Sequence, residues 1–93
     1  MTEKSENKQF HYVYVLQSEK DTHFYVGYTT KLDKRIVDHN SGLSASTKPY
    51  LPWDLIFYEA YKDKRDAKRR EKYLKTTKGR KGLKLMLRFS IVK

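Results

Sequence analysis

The sequence contains no cysteine, only two prolines and four glycines, and no long run of apolar residues. Without cysteine the chain has no disulfide bonds, no thiolate metal ligands and no cysteine nucleophile. Its three histidines on their own do not favour a structural zinc site. No segment approaches the ~20 apolar residues of a membrane-spanning helix, and the polar first ten residues do not look like a signal peptide. These absences favour a cytoplasmic protein that does not act at a membrane.

The length of 93 residues fits one domain with a modest core. Eight tyrosines and four phenylalanines supply enough aromatic surface for one small sheet packed by helices, which separates the chain from a disordered one. We predict a flexible tail over residues 1–9 and a single domain over residues 10–93.

The net charge of +10 is concentrated in the last third of the chain. Residues 1–60 hold seven lysines and arginines against eight acids, whereas residues 61–93 hold fourteen against three. Such an asymmetry indicates an anionic polymer as partner, and nucleic acid is the first candidate because the basic residues lie among folding signals. The alternative is a basic face that is merely solvated.

Hydrophobic periodicity predicts three strands and three helices. Strands are predicted over residues 11–16, 24–28 and 53–60, and helices over 31–40, 64–75 and 80–88. The order β-β-α-β-α-α predicts an α+β fold, in which a small three-stranded antiparallel sheet is flanked by helices.

Local signals refine these elements. Thr30, followed three residues later by Asp33, resembles a capping box for the first helix, and Asp63 can cap the second. Gly27, late in the second strand, predicts either a bulge or the close approach of another group. In the last helix we predict that three apolar side chains point inward, namely Leu83, Met86 and Leu87.

Charged side chains share helix faces with apolar ones. Arg35 and His39 lie one turn apart beside Leu32 and Ile36, so they should point toward the sheet. Glu71 lies between two apolar positions of the second helix, and a carboxylate that faces a core needs a partner. Each of these charged residues, taken alone, also has a structural explanation: Glu71 and Arg35 can form an ion pair, and an arginine can snorkel to solvent. Several such exceptions on one sheet edge favour a functional site.

Four segments in this order, YVYVL, FYVGYT, KRIVDHN and RREKYLK, resemble the GIY-YIG nuclease superfamily. The resemblance covers roughly residues 11–88. It is closest to small stand-alone bacterial members related to the catalytic domain of the excinuclease C subunit, which implies a link to DNA repair. The chain departs from the family pattern at Tyr12, where the first motif has glycine, and at Tyr28, where excinuclease-type members often have lysine. Both motif isoleucines are valine, and the asparagine that often follows the glutamate is missing.

The resemblance implies five catalytic residues. Tyr14 and Tyr25 take the places of the two motif tyrosines, and Arg35 takes that of the catalytic arginine. His39 takes the place of a supporting histidine and Glu71 that of the metal-binding glutamate. One Mg²⁺ or Mn²⁺ ion is implied, held by Glu71, waters and the substrate phosphate.

The expected activity is a divalent-metal-dependent endonuclease that hydrolyses phosphodiester bonds in nucleic acid, with DNA as the expected polymer. A chain without an added specificity domain should be structure-directed or weakly sequence-selective. Residues expected to contact the nucleic acid are Gly27, Lys68, Arg69, Lys72, Lys75, Lys78 and Arg80. The alternatives are a non-catalytic nucleic-acid-binding module with the same fold and, in third place, an adaptor that binds an acidic protein.

Overall fold

The computed structural model describes residues 9–91 and contains three strands and three helices. The strands β1 (His11–Ser18), β2 (Phe24–Thr29) and β3 (Trp53–Tyr61) form one antiparallel sheet in the order β2-β1-β3. The helices are α1 (Leu32–Asn40), α2 (Lys64–Leu74) and α3 (Thr77–Met86), and a single 3-10 turn at Lys48–Tyr50 precedes β3. The predicted element order and the α+β fold class are confirmed.

The ends of the chain lie outside this description. All of the predicted flexible tail except Gln9 falls there, as do residues 92–93. Within residues 9–91, none of the helices is both long and apolar enough to span a bilayer.

The central strand β1 divides the core into two clusters, because successive side chains of a strand point to opposite faces. Val13 and Val15 pack on one face against Ala67 and Leu74 of α2, and against Leu83 near the end of the chain. Residues 13–18 of β1 are all buried, which explains why this strand is rich in β-branched and aromatic residues.

The second cluster contains Tyr14, Leu16 and Trp53. The half-buried side chains of Leu32 and Ile36 on α1 pack against it, as do residues of the loop before β3. The sheet is therefore covered by α2 and α3 on one face and by α1 on the other.

The helix starts agree with the sequence in one case and differ in two. Asp63 caps α2, since its side chain accepts a hydrogen bond from the backbone N–H of Arg65, as predicted. The capping box at Thr30 is wrong: Lys31 is the N-cap residue of α1 and no side chain caps it. The last helix begins at Thr77, earlier than predicted, because the Thr76 side chain accepts a hydrogen bond from Gly79 N–H at 3.0 Å.

Two further predictions are corrected. Met86 does not point inward, because 48% of it is exposed, whereas Leu83 and Leu87 are buried. Of the two alternatives predicted at Gly27, the bulge is wrong, because Gly27 pairs regularly with Tyr14 and the irregularity lies between Val15 and Leu16 in the pairing of β1 with β3. The other alternative, the close approach of another group, is confirmed. A Cβ atom on Gly27 would overlap the ring of Tyr14, so the glycine makes room for this phenol.

Candidate active site

Tyr14 stands at the centre of the candidate site. It lies in the middle of β1, its ring passes over Gly27 of the neighbouring strand, and none of it is exposed. Its hydroxyl is 2.9 Å from Nε2 of His39, and the guanidinium of Arg35 is hydrogen-bonded to the same phenol. The face shared by Arg35, His39 and the apolar residues of α1 therefore meets the first motif tyrosine.

The positions of the protons in this cluster follow from which of its side chains can donate and which can accept hydrogen bonds. An arginine only donates hydrogen bonds, so the oxygen of Tyr14 accepts from Arg35 and its O–H donates to Nε2 of His39. A neutral histidine that accepts at Nε2 carries its proton on Nδ1, which lies 2.9 Å from Oγ1 of Thr47. Thr47 accepts that proton and donates its own to the Ser44 carbonyl at 3.4 Å.

Thr47 is a site residue that the sequence analysis missed. It is fully buried, it lies in the loop between α1 and β3, and its carbonyl accepts a hydrogen bond from the indole N–H of Trp53 at 2.9 Å. Asn40 holds the same loop closed, because its side chain bonds the backbone N–H and C=O of Trp53. An isolated threonine in a loop carries no periodic signal, so only the three-dimensional structure reveals this contact.

Burial sets the protonation states of the pair. It raises the pKa of Tyr14 to about 12, although the hydrogen bond from Arg35 acts in the opposite direction. Burial, assisted by the positive charge of Arg35, lowers the pKa of His39. At neutral pH the site therefore holds a neutral phenol beside a neutral imidazole.

Tyr25 completes an aromatic group around His39. Its ring centroid is 4.9 Å from that of His39 in an edge contact and 6.3 Å from that of Tyr14. Four of the five predicted catalytic residues, Tyr14, Tyr25, Arg35 and His39, are thus brought together. Arg35 and His39 also line an open hollow of about 200 Å³.

Glu71, the fifth residue, projects from α2 with only 12% of its side chain exposed. Its two carboxylate oxygens pair with the ammonium groups of Lys68 at 2.9 Å and Lys75 at 3.0 Å. Burial would raise the pKa of Glu71, but the two lysines outweigh it and the pKa is lowered. The charge of Glu71 lies close enough to Tyr14 to contribute to the raised pKa of the phenol.

The structural ion pair between Glu71 and Arg35 that the sequence suggested is wrong. Among residues 9–91, the partners of Glu71 are Lys68 of its own helix and Lys75 at the end of that helix. The guanidinium of Arg35 bonds Tyr14 instead. The carboxylate is therefore held by two lysine side chains that are half exposed.

The predicted nucleic-acid contacts fall into separate groups. By helical spacing, Lys68 and Lys75 lie on the flank of α2 that carries Glu71, whereas Lys72 follows Glu71 directly and lies about 100° further around the helix. Arg69 lies on another side of α2 and pairs with Asp66 at 3.0 Å. Lys78 and Arg80 belong to α3. The space beside Gly27 holds the Tyr14 ring, and contact of all these residues with nucleic acid stays a prediction.

The donor set fits a single hydrated metal ion and does not fit a closed metal site. No cluster of three or more histidines, aspartates or glutamates occurs within residues 9–91. Mg²⁺ binds through one or two carboxylates and keeps several waters and phosphate oxygens. Glu71, which is ionised and whose charge acts on the pKa of Tyr14, is the residue that fits this requirement.

Comparison with known proteins decides the family. A family model described as the GIY-YIG catalytic domain matches residues 10–84. The chain belongs to the GIY-YIG family. This confirms the resemblance seen in the sequence and places the protein in the nuclease superfamily of that name.

Several relatives of this GIY-YIG domain carry the name UPF0213. A UPF0213 protein of Staphylococcus haemolyticus is 40% identical over 77 residues, which are 82% of this chain and 93% of that protein. The UPF0213 protein YazA of Bacillus subtilis is 44% identical over 66 residues, which are 70% of this chain and 66% of YazA.

A solved structure supports the same fold. The solution NMR structure of the UPF0213 protein BH0048 from Bacillus halodurans is 34% identical and has a TM-score of 0.54, with 83% of this chain and 84% of that chain covered. The names of these relatives state no activity.

Proposed function

We propose that this GIY-YIG domain is a divalent-metal-dependent endonuclease that hydrolyses phosphodiester bonds in nucleic acid, chiefly DNA, with structure-directed or weak sequence selectivity. The observation that carries the proposal is the hydroxyl of Tyr14, which accepts a hydrogen bond from Arg35 and donates one to a neutral His39. This arrangement places a proton acceptor directly beside a cation that can bind phosphate.

Arg35 binds the reacting phosphate. Its guanidinium offers a planar fork of donors that matches two phosphate oxygens, and these oxygens gain negative charge in the transition state. Arg35 is exposed and lines the hollow beside His39, so a phosphate can reach it.

Tyr14 and His39 move the proton of the attacking water. A phenol with a pKa of about 12 is a poor source of free phenolate at neutral pH. Tyr14 can instead accept the water proton while its own proton passes to Nε2 of His39, 2.9 Å away. Thr47 holds the imidazole in the tautomer that accepts this proton, and the edge of Tyr25 packs on its ring.

Glu71 would hold the metal ion together with waters and the substrate. A bound Mg²⁺ or Mn²⁺ supplies Lewis-acid stabilisation of the leaving oxygen. Lys68 and Lys75 must release the carboxylate first, and both are half exposed, so each can turn toward a phosphate of the incoming strand. In this way the two lysines keep the acid ionised before substrate arrives.

The test is cleavage of plasmid, single-stranded and branched DNA with Mg²⁺ or Mn²⁺ and with EDTA. Cleavage should need the metal, should disappear in Glu71→Gln, and should slow by about a hundredfold or more in Arg35→Ala. Arg65→Ala is the matched control, since Arg65 is exposed and pairs with Asp63 at the start of α2. Cleavage that persists in EDTA or in Glu71→Gln would refute the mechanism.

The second candidate is a non-catalytic binding module that keeps the nuclease fold. The occupation of both Glu71 oxygens by lysines favours it, because this arrangement neutralises the acid without a metal. Salt-sensitive binding of nucleic acid without cleavage of any of the three substrates would support this candidate over the enzyme.

A further inference from the structure

Two tyrosine rings meet beside the candidate active site. The rings of Tyr12 and Tyr58 form an edge contact with centroids 5.9 Å apart and planes at 64°. Tyr12 precedes Tyr14 by two residues on β1 and therefore shares its face, about 7 Å away along the strand. Tyr58 is the residue of β3 that pairs with Tyr14 in the sheet. The two rings thus flank the proposed proton acceptor.

The pair of Tyr12 and Tyr58 is exposed to solvent, whereas the neighbouring Tyr14 is not. Tyr14 is completely buried, whereas 52% of Tyr58 is in contact with solvent and Tyr12 is half-buried. The rings form one wall of a hollow of about 510 Å³, at the point where β1 and β3 pass the start of α1. Packing alone does not require a large aromatic ring at a position that solvent reaches.

The rest of the hollow carries two basic groups and one acidic group. Lys31, Lys34 and Asp33 line it together with Thr30 and Leu32, and 68% of the Lys34 side chain is exposed although its ammonium pairs with Asp38 at 3.3 Å. A fixed aromatic ring with ammonium groups around it matches a nucleobase attached to a phosphate backbone. An apolar peptide segment would meet charge on much of the same wall.

We propose that Tyr12 and Tyr58 stack an unpaired nucleobase next to the phosphodiester held at Tyr14 and Arg35. The domain then acts on single-stranded or locally unpaired nucleic acid. Within a duplex both faces of a base are covered by its neighbours, so a base must leave the stack to lie on a protein ring. The proposal rests on the proposed function and adds the class of substrate that the site accepts.

The experiment measures binding without cleavage. Oligonucleotides containing the fluorescent base 2-aminopurine are titrated with the protein in EDTA, as single strands and as duplexes at the same salt concentration. Single strands should bind with quenching of the fluorescence. Tyr58→Ala should weaken this binding by about tenfold, the effect of losing one stacked base, and remove the quenching.

Two variants separate stacking from other effects. Tyr58→Phe keeps the ring and should retain both affinity and quenching. Tyr73→Ala is the matched control, because Tyr73 lies on α2 with 40% of it exposed and should leave single-strand binding unchanged. The affinity for the duplex should be the same in all variants.

Each other result overturns the proposal. An equal loss on single strands and duplexes in Tyr58→Ala, or no loss at all, would show that the rings do not stack a base. Absence of binding to either oligonucleotide at low salt would assign the rings to a protein surface. If the protein quenches the fluorescence of single strands but cleaves nothing in Mg²⁺, the stacking site stands and the proposed nuclease activity does not. If it cleaves only duplexes, the nuclease activity stands and the stacking site does not.

Discussion

The phenol of Tyr14 is fixed by three different neighbours: Arg35 donates to it, His39 accepts from it, and Gly27 leaves the space in which its ring lies. Its position is therefore more restricted than that of an ordinary core tyrosine. Removing only the hydroxyl oxygen of Tyr14 therefore changes the chemistry of the site while keeping the packing of the ring.

Tyr14→Phe should remove the chemistry and keep the fold. Without the hydroxyl there is no acceptor for the water proton, and we expect the cleavage rate to fall by about 10² to 10⁴. His39 loses a buried hydrogen-bond partner, which costs about 1–3 kcal/mol of stability. Single-turnover cleavage and urea denaturation measure the two effects. Tyr73→Phe is the control, and an unchanged rate in Tyr14→Phe would exclude the phenol from catalysis.

His39 should make the stability depend on pH. Its pKa in the folded protein is lowered from 6.5, so the unfolded state binds more protons in the acidic range. The contribution of the neutral imidazole is complete above about pH 6.5 and is lost as the pH falls through the lowered pKa.

The melting temperature between about pH 8 and pH 5 measures this dependence. The wild-type protein should lose more stability on acidification than His39→Gln. His23→Gln, which removes an exposed histidine near the β1–β2 turn, should follow the wild type. Parallel curves for wild type and His39→Gln would contradict the assigned neutral state.

At the scale of elements, the contact between α2 and α3 depends on a glycine. Gly79 is buried in the first turn of α3, and a Cβ atom there would overlap the backbone carbonyl of Tyr73 at the end of α2. The two helices approach this closely only because residue 79 has no side chain. Gly82, one turn later, has no neighbour within 4 Å of the place where its Cβ would lie.

Gly79→Ala should destabilise the protein by roughly 1–3 kcal/mol, because α3 must move away from α2. Gly82→Ala should instead stabilise it by roughly 0.5–1 kcal/mol, since alanine is the better residue in a helix interior. Urea denaturation of both variants provides the comparison. If both substitutions act in the same direction, the close contact at Gly79 is not as described.

The elements also indicate what a sequence can predict. The alternation of residue types in β1 is a local pattern, and by itself it places Val13 and Val15 on one face and Tyr14 on the other, where the structure has them. The start of α3 was missed because two glycines weaken the helical signal, while the cap at Thr76 depends on a backbone contact that no pattern records. The partner of Glu71 was also missed, since lysines at i−3 and i+4 compete with a distant arginine.

At the scale of the whole molecule, the net charge of +10 should make binding of nucleic acid depend strongly on salt. Lys68 and Lys75 lie by spacing on the flank of α2 that carries Glu71, whereas Arg65 and Arg69 lie further around the helix and pair with aspartates. The two sets therefore differ in location and agree in charge.

The double variant Lys68→Gln/Lys75→Gln should bind nucleic acid more weakly than the wild type. The slope of log K against log salt should fall by about 0.7 to 0.9 for each lost phosphate contact. Arg65→Gln/Arg69→Gln, with the same change in net charge, should have the smaller effect. Fluorescence anisotropy at several salt concentrations measures both, and equal slopes for the two variants would argue against a binding flank around Glu71.

The central position of β1 has one more consequence. Local opening of a protein begins at edges and chain ends, and the middle strand of a sheet exchanges its amide hydrogens only when the whole fold opens. Since Tyr14 lies on that strand, partial unfolding at the periphery leaves the phenol in place. Heating should therefore abolish activity in a single step, together with global denaturation and not before it.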